Sequence, residues 1–120
     1  TNSGLCALAF TAHLTLLGSA GLSRVARVNH ANAIKLADAL SGVKGVEVLN
    51  GSFFNEFTVK LNKPAAPIVE ALADTRILAG VPVSRLLPGA GLDDHLILAS
   101  TEVNSDDVRA ALVAALKEVL

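Results

Sequence analysis

The chain has 120 residues, 52% of them apolar, the size and composition of one domain able to bury its own core. Ten Lys and Arg stand against eleven Asp and Glu, scattered along the chain, which argues against a nucleic-acid or anionic-membrane binder. A single cysteine, Cys6, excludes an intrachain disulfide framework and reads as a buried, inert thiol.

The sequence opens at Thr1 inside an apolar segment, with no Met and no basic leader, which is the pattern of one domain, 1–120, cut from a longer cytoplasmic chain. From Gly4 to Leu17 the apolar residues occupy every side of a helical wheel. Such a helix is expected to pack one face on its own domain and the other on a part of the longer chain or on a partner. The thirteen residues from Leu5 to Leu17 fall short of a membrane span, which needs about 20. His13, within this segment, is expected to be a hydrogen-bonded core or interface side chain.

Gly18-Ser19-Ala20-Gly21 breaks that pattern, and Leu22 to Leu40 follow as an amphipathic helix. Leu22, Val25, Ala26, Ala33, Leu36, Ala37 and Leu40 form its apolar face; Arg24, Arg27, Asn32, Lys35 and Asp38 read as a solvated one. Ser41-Gly42 supplies the stop. Val46 to Leu49 reads as a strand, Asn50-Gly51 as a two-residue hairpin turn, and Phe53 to Leu61 as the returning strand, with Phe57, Val59 and Leu61 inward. Pro67 predicts a helix over about 67–76, since a first turn tolerates its missing donor. Val81-Pro82-Val83 and His95 to Ala99 read as two further strands, separated by a turn from Pro88 to Gly91. Ser105 caps a last helix, with Asp106 and Asp107 opposing its dipole and Val108, Leu112, Ala115, Leu116 and Val119 inward. The predicted fold is an α+β, or α/β, sandwich: a small, mostly antiparallel sheet covered by helices on one face.

The chemistry of catalysis is sparse. The three histidines lack ligand-spaced neighbours, apart from Asp93 and Asp94 beside His95, so no metal site is expected. No Gly-x-Ser-x-Gly elbow and no phosphate-binding glycine loop occurs. Two polar clusters remain. Asn55-Glu56, set among Phe53, Phe54 and Phe57, points one side chain to each face of a strand, and Thr101-Glu102 ends a buried strand. A solvated sheet face, with Asn55 hydrogen-bonded to backbone, is the favoured reading of the first, and a helix-capping turn of the second.

The runs Thr1 to Ala9, Gly51-Ser52-Phe53-Phe54-Asn55-Glu56-Phe57, Ile77 to Pro82 and Leu96 to Glu102 occur in that order. Together they resemble the closing part of subunit 1 of the aminomethyl-transferring glycine dehydrogenases, the P-proteins of the glycine cleavage system. Phe-Phe-Asn-Glu-Phe is the most specific piece; Ser3-Gly4 and Ala99-Ser100 depart from the family's usual pairs. The resemblance implies the small carboxy-terminal domain of a fold-type-I pyridoxal-phosphate transferase. It implies oxidative decarboxylation of glycine with aminomethyl transfer to the lipoyl group of H-protein, and a companion subunit, glycine dehydrogenase subunit 2, whose lysine holds the pyridoxal phosphate. On that reading the fragment has no catalytic and no cofactor-binding residue of its own and is inactive alone. Thr1 and Asn2 lie toward the large domain and the subunit interface, and Asn55 and Glu56 border the site. An aminotransferase-like small domain is the alternative within the same fold, with Arg85 as its one candidate for a substrate carboxylate. A non-enzymatic interaction module is the third.

Overall fold

The structure, a computed structural model, describes residues 3–120. Thr1 and Asn2 lie outside the described residues. The element order is α1 (Gly4–Ser41), β1 (Val46–Val48), β2 (Glu56–Leu61), α2 (Ala65–Asp74), β3 (Val81–Pro82), α3 (Val83–Leu86), β4 (His95–Ala99) and α4 (Asp106–Val119). The four strands form one sheet in the order β1-β2-β4-β3, every pairing antiparallel.

The alternation of β2 builds the core. Phe57, Val59 and Leu61 are buried while Glu56 and Lys60 are exposed, as the period-2 pattern predicts. In register, Phe57 faces Leu98 and Val59 faces Leu96, so the two central strands present one continuous apolar layer. Leu36 and Leu40 of α1, Ile68 and Leu72 of α2 and Leu116 of α4 close over that layer in a single cluster. Each fully buried side chain of this size contributes about 1.5–3 kcal/mol relative to an exposed one. The helices therefore share one face of the sheet, and the predicted α+β architecture stands.

Four local expectations are corrected. The break after Leu17 is one residue, not four: Gly18 adopts φ 61, ψ −177 and the helix resumes at once. That region of backbone space is essentially reserved for glycine, so the kink is encoded at a single position. Asn50-Gly51 does not make a two-residue turn. Leu49 still donates to the Thr58 carbonyl at 2.9 Å, but the next ladder position goes to the Asn50 side chain, which accepts from Thr58 N at 2.7 Å. The loop is thereby lengthened, and Phe53 folds inward to pack on Phe57, ring centroids 4.9 Å apart. Val83 starts a one-turn helix rather than extending the third strand. Val108 is 53% exposed, whereas Arg109, one position on, is buried.

Burial divides α1. Ala33, Leu36, Ala37 and Leu40 are buried, but Leu22 is already half exposed, and upstream Leu5, Leu8, Phe10 and Leu16 are 62–87% exposed. Cys6 and His13 lie on this uncovered half and are exposed too, so neither belongs to this domain's core. Because the helix runs on past Gly18, α1 contains an 18-residue window of mean hydropathy 1.6, long and apolar enough by length and composition to cross a bilayer. The thirteen-residue count understated that stretch.

Gly80 is fixed by close approach: a Cβ there would be driven into the Ile97 carbonyl oxygen of the neighbouring strand. At the other end of β4, His95 Nδ1 donates to the Asp94 carboxylate at 2.6 Å, and Lys60 lies 3.8 Å from the same carboxyl group. Desolvation pushes the Asp94 carboxyl up, but the hydrogen bond and charge of His95 and the charge of Lys60 outweigh it and hold the group below its ordinary value of 3.8.

Three outcomes follow for the folded chain. In denaturant unfolding, Leu40→Ala is expected to cost about 2–5 kcal/mol, while Leu16→Ala stays within about 0.5 kcal/mol. Gly80→Ala is expected to lower the unfolding midpoint where Gly51→Ala, with open space around the new methyl, does not. Asp94, depressed in the folded state, stabilises above its unfolded pKa and loses that contribution as pH falls through the lower folded value. Wild type should therefore be more stable than Asp94→Asn near neutrality, with the gap closing on acidification below about 3.8, the ordinary value; a gap that persists at the acid end would contradict this assignment.

Candidate functional site

The two polar clusters singled out in the sequence meet at one end of the sheet. Glu56 pairs with Ala99 in register, and the Asn55 carbonyl accepts the Ser100 N–H at 3.0 Å. The loop before β2 and the loop after β4 therefore leave the sheet side by side. Asn55 is half-buried and Glu56 exposed, consistent with their opposite directions on the strand.

A short polar segment of α1 ties both loops down. Asn29 Oδ1 accepts from Glu102 N at 2.5 Å, and Asn32 Nδ2 donates to the Thr101 carbonyl at 2.9 Å. His30 Nδ1 lies 2.8 Å from the Phe54 carbonyl. A carbonyl can only accept, so Nδ1 carries a proton there. The same imidazole stacks on the Phe54 ring, centroids 6.1 Å apart. Asn104 completes the arrangement from within the second loop, its Oδ1 accepting from Thr101 N at 2.8 Å. The result is a pinned surface that presents Phe54, Glu56, Glu102 and Val103 outward.

In the sequence Asn32 reads as part of a solvated helix face and His30 as a histidine without ligand-spaced neighbours, while nothing singles out Asn29. The signal was present: three side chains able to hydrogen-bond backbone within four residues, on a helix whose other face is apolar. Arg85 does not join this surface. It sits exposed on α3, 3.5 Å from Glu70 of α2, and α3 leaves the sheet after Pro82, which pairs with Leu96 toward the opposite end of β4.

The residues present do not fit a covalently held aldehyde cofactor. All five lysines are exposed; Lys35 pairs with Asp106, Lys60 with Asp94, and Lys63 donates to the Val119 carbonyl. None stands in a pocket that would desolvate and activate an amine. Among the described residues no group of three or more His, Cys, Asp or Glu is placed to hold a metal ion.

No family model matches the chain. Individual relatives do, strongly. The chain is 65% identical over its whole length to a probable glycine dehydrogenase (decarboxylating) subunit 1 from Rhodospirillum centenum. It is 69% identical, over 97% of its length, to the same protein from Beijerinckia indica, and 55% identical over its whole length to that from Caulobacter sp.. The chain spans about a quarter of the length of these relatives: 27%, 26% and 26%. Its fold superposes along the full chain, with a TM-score of 0.89 and 36% identity, on 27% of a crystal structure of glycine decarboxylase, the P-protein of the glycine cleavage system, in inhibitor-bound form. Along its whole length, then, the chain is homologous to a segment of glycine dehydrogenase (decarboxylating) subunit 1 and takes the fold of the matching part of glycine decarboxylase.

Proposed function

We propose that this chain serves as the small carboxy-terminal domain of a cytoplasmic glycine-cleavage P-protein subunit. The observation that carries the reading is the full-length similarity to relatives named glycine dehydrogenase subunit 1, matched by a superposition on glycine decarboxylase. The whole enzyme would decarboxylate glycine and pass the remaining aminomethyl group to the lipoyl arm of H-protein. Pyridoxal phosphate would supply the electron sink for the decarboxylation. Every lysine here is exposed and unsuited to hold it, which fits the family resemblance in putting the cofactor lysine on the companion subunit 2; on this reading the domain contributes no group to the bond-breaking step.

Its own contribution is positional. The end of the sheet where Asn55, Glu56, Thr101 and Glu102 converge is the part suited to border a site, because two loops there are immobilised by α1 rather than left free. The uncovered half of α1 would lie against the remaining three-quarters of the subunit. That role accounts for Leu5, Leu8, Phe10 and Leu16 being exposed here. Arg85 speaks against the aminotransferase-like alternative, being paired with Glu70 away from the converging loops.

The test is exchange of labelled bicarbonate into glycine, with pyridoxal phosphate and lipoylated H-protein, by the full-length subunit purified with its lysine-bearing companion. Exchange is expected only when both subunits are present, and none from the 120-residue chain alone. Asn55→Ala with Glu56→Gln is expected to lower exchange by no more than about ten-fold, the scale of lost positioning rather than a lost catalytic group. Absence of exchange from two folded subunits would refute the reading.

A further inference from the structure

Between α1, α4 and the 76–79 turn lies a crevice of about 420 Å³, within the range of roughly 300–1,000 Å³ typical of small-molecule sites. Leu36, Ile77, Ala79, Val108, Ala111 and Leu112 make most of its wall aliphatic. Four polar residues interrupt that wall: Arg76, Ser100, Asn104 and Arg109. Among the described residues no carboxylate lines it.

The polar groups have donors to spare. Ser100 is 1% exposed, and among the described residues its hydroxyl has no hydrogen-bond partner, which leaves a donor at the back of the crevice. The alternation of β4 puts Ser100 on the same face as Leu96 and Leu98, the face that α1 and α4 cover. Arg109 is 8% exposed. It donates through Nη1 to the Asn104 carbonyl and through Nη2 to Asp106, which leaves guanidinium N–H groups over. Asp106 itself is 81% exposed and shared with Lys35, so it only partly offsets the charge. Asn104 spends its side-chain oxygen on Thr101, and what remains to it is an amide donor. Arg76, exposed beside Ile77, places a second guanidinium at the mouth.

We propose that this crevice binds a small amphipathic monocarboxylate. The carboxylate would be taken by the Ser100 hydroxyl and the Arg109 and Arg76 guanidiniums, and the hydrocarbon would lie against Leu36, Ile77 and Leu112. Inorganic phosphate would satisfy the donors and leave the aliphatic wall wet. A neutral alkyl chain would cover the wall and leave the charges unanswered. The inference rests on the crevice alone and stands apart from the glycine reading.

The experiment is an amide NMR titration of the isotope-labelled chain with octanoate, 1-octanol and inorganic phosphate in parallel. Octanoate is expected to give saturable shifts at Ser100, Asn104 and Arg109, with octanol and phosphate at least ten-fold weaker. Ser100→Ala, which removes the hydroxyl with little change of shape, and Arg76→Gln, at an exposed position, are each expected to weaken octanoate at least five-fold. Octanol matching octanoate, phosphate matching octanoate, or octanoate shifts confined to residues 4–17 would overturn the proposal. If Ser100→Ala fails to fold, Arg76→Gln decides: unchanged octanoate affinity in that variant also overturns it.

Discussion

Everything in this domain hangs on the apolar layer that β2 and β4 present to the helices. With Val59 opposite Leu96 and Phe57 opposite Leu98, the sheet offers a single surface on which an element can bury itself, and α1, α2 and α4 all use it. Because the side-chain period of a strand is two, a slip of one residue in this pairing would turn the whole set outward. The converging loops at the Ala99 end and the Asp94–His95–Lys60 cluster at the other inherit their positions from that register. The candidate surface is thus a consequence of packing as much as of polar chemistry.

The same constraint explains why α1 is two things in one helix. Residues from Ala33 onward lie over the sheet and are buried; those before Gly18 project beyond it and find nothing in the domain to cover them. Between them, Asn29, His30 and Asn32 face the loop ends and hold them by hydrogen bonds to backbone. One element therefore joins the core, the candidate site and an apolar arm.

Much of this was legible in the sequence. The strand alternation at Phe57, Val59 and Leu61 and the Ser105 cap that accepts from Val108 N both follow from period and capping rules. What was not legible depended on tertiary competition. Asn50-Gly51 looks like a tight turn in isolation, yet the Asn50 side chain and the inward fold of Phe53 favour a longer loop. Val108 fits the helical stripe, but α4 leans so that Arg109, tied to Asn104 and Asp106, takes the buried place. The loop anchors on α1 escaped notice because a polar residue on an amphipathic helix looks the same whether it meets water or a carbonyl. Arg85 stood near a strand end in the sequence, but its ion pair with Glu70 was invisible without the fold.

The central claim is that this chain is a folded domain whose apolar arm is completed by the rest of a longer subunit. Hydrogen exchange over residues 4–17, compared between the 120-residue chain and the full-length subunit, tests it most directly. The account predicts fast exchange in the chain alone and strong protection in the full-length protein, with residues 33–40 protected in both. Equally fast exchange of the arm in both proteins would contradict it.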